Sequence, residues 1–198
     1  LELPYELSMS KDTYLYALAS QPSGFTIVWD VWRQVNGIYE RTAQSSQWCM
    51  SGKLVYPLEE EYSEDDTNGI EIRSETTTTT QMIDDKIERI EDDPDTYTNR
   101  SHANLLLLGT EIISYNTITK LPNGNYKLNG IIRGCFDTLP KAHNTETIAF
   151  FLDYYLNVVK GNRRLASAGV ETTQNIAILS ETQDRKQEFS QNKVTQVQ

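Results

Sequence analysis

Residues 104–153 read NLLLLGTEIISYNTITKLPNGNYKLNGIIRGCFDTLPKAHNTETIAFFLD. Leu105–Leu108 is an apolar run far shorter than the roughly 20 residues a membrane-spanning helix needs. Gly109 ends it. Residues 111–118 are rich in β-branched and aromatic side chains, as strands prefer. The segment Leu121-Pro122-Asn123-Gly124-Asn125 then supplies turn chemistry: proline presets φ, and Asn-Gly accepts positive φ at low cost. Residues 126–132 read as the return strand, with Tyr126, Leu128 and Gly130 on one face and Lys127, Asn129 and Ile131 on the other. A β-hairpin is expected here, and it sets the fold class for its surroundings.

Working towards the N-terminus, residues 25–32 (FTIVWDVW) form a second strong strand. Phe25, Ile27, Trp29 and Val31 share one face; Thr26, Val28, Asp30 and Trp32 share the other. Asn36-Gly37 is a type I′ hairpin signal, and residues 38–43 return antiparallel. Residues 47–50 and 52–58 read as further extended segments, so residues 12–58 are expected to be one antiparallel meander. Residues 1–10, with Pro4, read as an extended lead-in or edge strand, since proline cannot donate to a ladder. Residues 14–19 are too short a run to decide between strand and helix.

Between the two hairpins the chain turns acidic and threonine-rich. Residues 59–66 (EEEYSEDD) are a charge run: a solvated loop, or a Ca²⁺ loop lacking the ordered spacing of an EF-hand. Residues 69–73 are a short strand. The tract 76–80 is five consecutive threonines, a β-favouring composition. In residues 81–91, Ile83, Ile87 and Ile90 fall at helical spacing, so one short helix ending before Pro94 is one reading and a continued β segment the other. Residues 91–99 (EDDPDTYTN) are a second acidic loop, in which a Pro-Asp turn explains the composition; the alternative is a cation wrapped by Asp93, Asp95, Tyr97 and Asn99. After the central hairpin, residues 148–152 read as a buried strand, continued by Tyr154, Leu156 and Val158. Residues 162–198 are polar, with only 175–179 strand-like, and read as a linker or tail.

The order Gly109-x-Glu111-Ile112-Ile113, a hairpin, then Ile132-Arg133-Gly134-x-x-x-Thr138 and His143 resembles the hub or tip-attachment proteins of tailed-phage tails. The gene-transfer-agent tail hub belongs to the same group. Asp137 stands before Thr138 where that pattern usually has Gly, and residues 144–146 stand where Gly often follows the His. The match covers the middle third of the chain; ELPYELSM and YLYALASQPS near the start are more distantly similar to the lead-in of the same proteins. The resemblance implies a structural protein of the virion tail, made in the bacterial cytoplasm and present as a homotrimer. It would join the tail tube to receptor-binding fibres and contact other tail proteins. It also implies that Arg133 and His143 belong to a structural loop, and that Gly109, Glu111, Gly134 and Thr138 serve the same local fold. The chain starts at Leu1 and is expected to be part of a longer protein.

Composition narrows the classes further. The 198 residues carry a net charge of −10. Nucleic acid is a polyanion, and no cluster of Lys and Arg longer than residues 160–164 (KGNRR) is present to meet it, so neither nucleic-acid binding nor membrane insertion is expected. Cys49 and Cys135 read as separate thiols, a single disulfide being the alternative. With two His and two Cys in all, no metal-like spacing occurs. His143 as a general base would need Cys135 or Ser114 as a nucleophile beside it, and no G-x-S-x-G elbow exists; His102 has no companion motif. No phosphate-cradling glycine loop is present, and no cofactor is expected. Trp32 and Trp48 are candidate interface or glycan-binding residues, because aromatic faces suit both.

Together these readings give a mainly β protein, an antiparallel sandwich or partly closed barrel with at most one short helix. Residues 1–58 form a meander, 59–103 an acidic, Thr-rich insert, 104–161 the central hairpin with the following strand, and 162–198 a polar tail. A structural role without catalysis is expected, with a carbohydrate-binding adsorption module as the alternative and a tail-associated glycan hydrolase behind it.

Overall fold

A computed structural model describes residues 18–60, 69–97, 104–152, 174–183, 187 and 195–197. In chain order the elements are β1 (Thr26–Val35), β2 (Ile38–Ser45), β3 (Ser51–Leu54), β4 (Ile70–Arg73), α1 (Thr77–Asp92), β5 (Leu105–Leu108), β6 (Glu111–Ser114), β7 (Thr117–Lys120), β8 (Tyr126–Asn129), β9 (Ile132–Cys135), β10 (Ile148–Phe151), β11 (Gln174–Thr182) and β12 (Thr195–Val197). The protein is mainly β, every strand pair is antiparallel, and α1 is the one helix among the described residues. The sheets are open ones, of the kind that make up sandwiches, and neither closes into a barrel.

The chain divides into two units. One contains the described residues from 49 to 152 and holds an eight-stranded sheet in the order β7-β8-β4-β3-β10-β5-β6-β9. Its strands alternate as period-two patterning requires: Ile70 and Ile72, then Tyr126 and Leu128, are buried while the residues between them are half-exposed. Leu106, Leu108, Ile113 and Phe151 extend the same core, and α1 closes it with Ile83 and Ile90. Ile87 packs at the margin, so the helical face expected from the isoleucine spacing is the one that forms. The first and last described segments of this unit meet, since Ser51 pairs with Phe150 and the Phe151 amide donates to the Met50 carbonyl at 3.0 Å.

The helix is longer than residues 81–91, and the threonine tract is its first turn rather than a β segment. Thr76 is the N-cap: its hydroxyl accepts from the Thr79 amide, and the Thr79 hydroxyl accepts from the Thr76 amide, both at 3.2 Å. Two otherwise orphaned donors are satisfied, which outweighs the modest β preference of threonine. At the other end the Asp93 amide still reaches the Arg89 carbonyl, and Pro94 follows.

The strand expected over 111–118 is two strands with different partners. β6 pairs with β5 and β9, β7 pairs with β8, and Tyr115-Asn116 makes the step between them. The matching break on the return side is Gly130, at φ +65, where a Cβ would stand 2.6 Å from that of Asn116. No other residue fits that close approach. The break turns Ile131 into the core beside Tyr126 and Leu128 instead of onto the opposite face.

The second unit contains the described residues 18–48 with 174–183, 187 and 195–197, in a sheet ordered β12-β11-β1-β2. The meander expected over 12–58 is therefore divided, β3 belonging to the other unit, and residues 47–50 are not a strand. The presumed tail supplies β11, which pairs along β1 from Thr26 opposite Thr182 to Arg33 opposite Ile176. It also supplies β12. That partnership joins segments far apart in sequence and leaves no local signature. The β1–β2 turn is as expected, with Asn36 at φ 51 and Gly37 at φ 84. Trp29, Val31, Trp48 and Ile176 form this unit's core, yet Asp30, Ala177 and Leu179 on the other face are also buried. A register shift between Thr26 and Val28 leaves Ile27 46% exposed and Phe25 at 84%, so neither shares the buried face of Trp29 as strict alternation would have it.

The lead-in over 1–10, residues 14–17, the charge run beyond Glu60, His102, Asn99, residues 154–158, the basic stretch 160–164 and most of the polar tail lie outside the described residues.

Candidate functional site

Glu111 opens β6 directly after the Gly109-Thr110 turn, and its side chain is completely buried. A carboxylate removed from water is tolerated only where donors fill its lone pairs. Five do so. Arg133, on β9, forks onto both oxygens, Nε to Oε1 and Nη2 to Oε2 at 2.8 Å. The Gly134 amide donates to Oε1 at 3.2 Å, and the Lys141 amide to Oε2 at 3.1 Å. His143 Nε2 lies 2.8 Å from Oε2.

Two further guanidinium hydrogens are used as well. Nη1 donates to the Glu59 carbonyl at 3.0 Å and Nη2 to the Lys141 carbonyl at 2.7 Å. The planar fork of arginine can meet a carboxylate and two carbonyls at once, which a lysine ammonium could not reproduce. His143 is itself tied to Leu58 by two backbone hydrogen bonds of 2.8 Å. One acid–base pair thus gathers four stretches of chain: 58–59, 109–112, 133–135 and 138–143.

The loop between them is shaped by two further motif residues. Thr138 Oγ1 accepts from the Ile112 amide at 3.0 Å and donates to the Cys135 carbonyl at 2.7 Å, pinning the loop to β6. Gly134 has φ +64, and a Cβ there would stand 2.7 Å from Pro140 Cδ and 2.9 Å from the Thr138 carbonyl oxygen. Gly109 sits over the imidazole: a Cβ would be 3.7 Å from His143 Cε1. All six residues of the sequence motif, Gly109, Glu111, Arg133, Gly134, Thr138 and His143, therefore belong to one cluster.

Sequence reasoning missed the backbone half of this cluster, namely the amides of Gly134 and Lys141 and the carbonyl of Glu59. It also missed what its own irregularities meant. Asp137 stands where glycine was expected, and its φ is +59; Glu146 lies in the stretch that replaces the glycine after His143, and its φ is +67. The left-handed backbone that glycine favours is present at both places, carried by other residues.

Burial pushes the Glu111 carboxyl up, but the hydrogen bonds from Arg133, His143 and the Lys141 amide outweigh it and hold the pKa below the ordinary value. An ionised carboxylate only accepts, so the proton of the His143 contact sits on Nε2. That nitrogen is committed to Glu111 and is not available as a base. Burial pushes the Cys135 thiol up, the reverse of what an activated nucleophile needs. Ser114 is buried. The geometry of this cluster holds chain segments together.

The other sequence candidates are dispersed. Trp48 is core rather than surface, 5% exposed, its ring centroid 6.5 Å from that of Trp29. Trp32 is half-buried on the face where Asp30, Ala177 and Leu179 are covered, so the two tryptophans make no common platform. Cys49 and Cys135 are both free thiols. In the second acidic stretch Asp93 caps α1 and accepts from the Thr96 amide. Among the described residues no group of three or more His, Cys, Asp or Glu is arranged to hold a metal ion.

The family model described as "Rcc01698-like, C-terminal" matches residues 50–150. The chain belongs to this family. The matched residues lie within the unit that carries the Glu111 cluster and run from just before β3 into β10. No curated protein matches the chain.

Glu111→Gln leaves Arg133 buried without its counter-ion, and the variant should lose about 3–5 kcal/mol of unfolding free energy in denaturant titration. A loss below about 0.5 kcal/mol, the range of ordinary surface changes, would contradict the assignment. Because the folded pKa of Glu111 is depressed, its contribution is complete above the unfolded value of about 4.3 and disappears as pH falls through the folded value. The stability gap between wild type and Glu111→Gln should therefore narrow across that acidic window and stay constant above it. At Asp137, Gly should be neutral or stabilising, whereas Val should cost about 1–2 kcal/mol through left-handed strain. Equal stability of the two variants would show that the loop relaxes to another backbone.

Proposed function

We propose that this chain is a structural component of the hub at the tip of a bacteriophage or prophage tail, linking the tail tube to receptor-binding fibres. The observation that carries the reading is the gathering of the six resembling residues into one cluster around the buried Glu111 carboxylate. The resemblance assigns Arg133 and His143 to a structural loop, and a buried ion pair with many hydrogen bonds is what such a loop needs. The two departures from the glycine pattern support it too, because the backbone keeps the conformation glycine would have.

In this reading the protein acts by shape. No catalysis is assigned to it; the bonding of His143 to a carboxylate and the burial of the Cys135 thiol support a structural part for this cluster. It assembles with other tail proteins and with copies of itself, as a trimer, in the virion tail. Two of the edge strands, β2 and β7, are poorly suited to that assembly. β2 carries Glu40 and Arg41 and a bulge at Thr42, and β7 is four residues long and ends in Lys120. Short, charged or bulged edges resist strand addition. Contacts through loops and side-chain faces fit the proposed assembly better.

Immunogold electron microscopy of purified particles with an antibody to this chain tests the proposal. Gold at the distal end of the tail is the expected result. Absence of the protein from purified particles, established by mass spectrometry, would refute it.

A further inference from the structure

The sequence contains three Asn-Gly pairs within the described residues: Asn36-Gly37, Asn123-Gly124 and Asn129-Gly130. Glycine has no side chain to shield its peptide nitrogen, so this dipeptide is the one most open to attack by that nitrogen on the asparagine carboxamide. The three pairs are chemically identical, and the fold treats them differently.

At Asn123-Gly124 both reacting groups are held. Asn123 Oδ1 accepts from the Asn125 amide at 3.0 Å, and its Nδ2 donates to Glu71 Oε1 at 3.2 Å. The Gly124 nitrogen, the prospective nucleophile, donates to the Leu121 carbonyl at 2.9 Å. At Asn129-Gly130 the carboxamide lies against Thr117, Thr119 and the Lys127 carbonyl, the Asn129 carbonyl accepts from the Asn116 amide at 2.8 Å, and Asn116 crowds Gly130. At Asn36-Gly37 both residues are exposed, and nothing lies within 4 Å of the place a Gly37 Cβ would occupy. Among the described residues nothing hydrogen-bonds the Asn36 carboxamide or the Gly37 amide; the contact at this turn is Gln34 Nε2 donating to the Gly37 carbonyl at 3.2 Å. Asn123-Gly124 is equally exposed, so exposure does not distinguish them; the hydrogen bonds do.

We propose that Asn36 is a site of spontaneous deamidation in the folded protein, and that the fold protects Asn123 and Asn129. The Gly37 peptide nitrogen bonds to Asn36 Cγ, the Cγ–Nδ2 bond breaks, and ammonia leaves with the proton of that peptide nitrogen. A five-membered imide results. Water then opens either imide carbonyl, giving aspartate or its isomer with the main chain routed through the side-chain carbon. The turn must leave its type I′ geometry briefly for the ring to close, and a hairpin tip on an edge strand is where such opening is easiest. A new carboxylate, or an extra backbone carbon, then sits in the turn that sets the Val35–Ile38 pairing.

The full chain is incubated in mildly alkaline buffer, folded and in concentrated urea, then digested and mapped by mass spectrometry, with chromatographic separation of the two isomers. In the folded chain the Asn36 peptide should convert about tenfold faster than those of Asn123 and Asn129, roughly the factor that breaking one net hydrogen bond costs. In urea the three rates should converge. Conversion at Asn123 that keeps pace with Asn36 in the folded chain would overturn the proposal. So would an Asn36 peptide that stays intact in the folded chain over the time in which urea converts it, or in both conditions.

Discussion

A carboxylate that has left water must meet a donor at every lone pair, and Glu111 is where this chain imposes that demand. Isolated, it would be too costly to bury; ringed by a guanidinium, two peptide amides and an imidazole, it is held ionised. The demand runs the other way as well. Arg133 is 6% exposed and needs both Glu111 oxygens and two carbonyls to justify its own burial. Neither charge tolerates a shifted partner, so the segments bearing the donors have one acceptable arrangement. An apolar cluster of the same volume could match the stability but would permit several packings.

That specificity matters because the strands around it are short. β5, β6 and β9 are four residues each, and such strands resist slippage only weakly by themselves. Gly134 and Thr138 make the loop after β9 close on β6, and the Leu58–His143 bridge brings in the chain beyond β3. Elsewhere in the unit, polar pairs do smaller work of the same kind. Asp84 on α1 accepts from Lys120 and from the Tyr126 hydroxyl, fixing the helix to β7 and β8. Lys53, Arg73, Glu75 and Glu146 form an exposed network that is worth far less per bond.

Much of this was legible in the residues. Alternation marks β4 and β8, Asn-Gly marks two turns, the isoleucine spacing marks the buried face of α1, and Pro94 marks where it stops. The six cluster residues were legible as a motif, though not as one carboxylate with its donors. Three things were hidden, each for a physical reason. The capping reciprocity of Thr76 and Thr79 depends on side-chain hydroxyls, whereas composition alone points to strand. The step at Tyr115-Asn116 exists because Gly130 lets two backbones approach, a relation between distant positions. The pairing of β1 with β11 joins the two ends of the sequence, and such non-local contacts carry no signal in the local pattern of either strand.

Amide hydrogen exchange at Gly134 and Lys141 reports whether the Glu111 carboxylate holds this region together. Gly134 sits in the short edge strand β9 and Lys141 in the loop that follows it, and both donate to a buried carboxylate. They should exchange as slowly as the core amides of β5 and β6, through global unfolding alone. Exchange at the rate of free loop amides, in a protein whose core strands remain protected, would mean that Glu111 does not hold this region together.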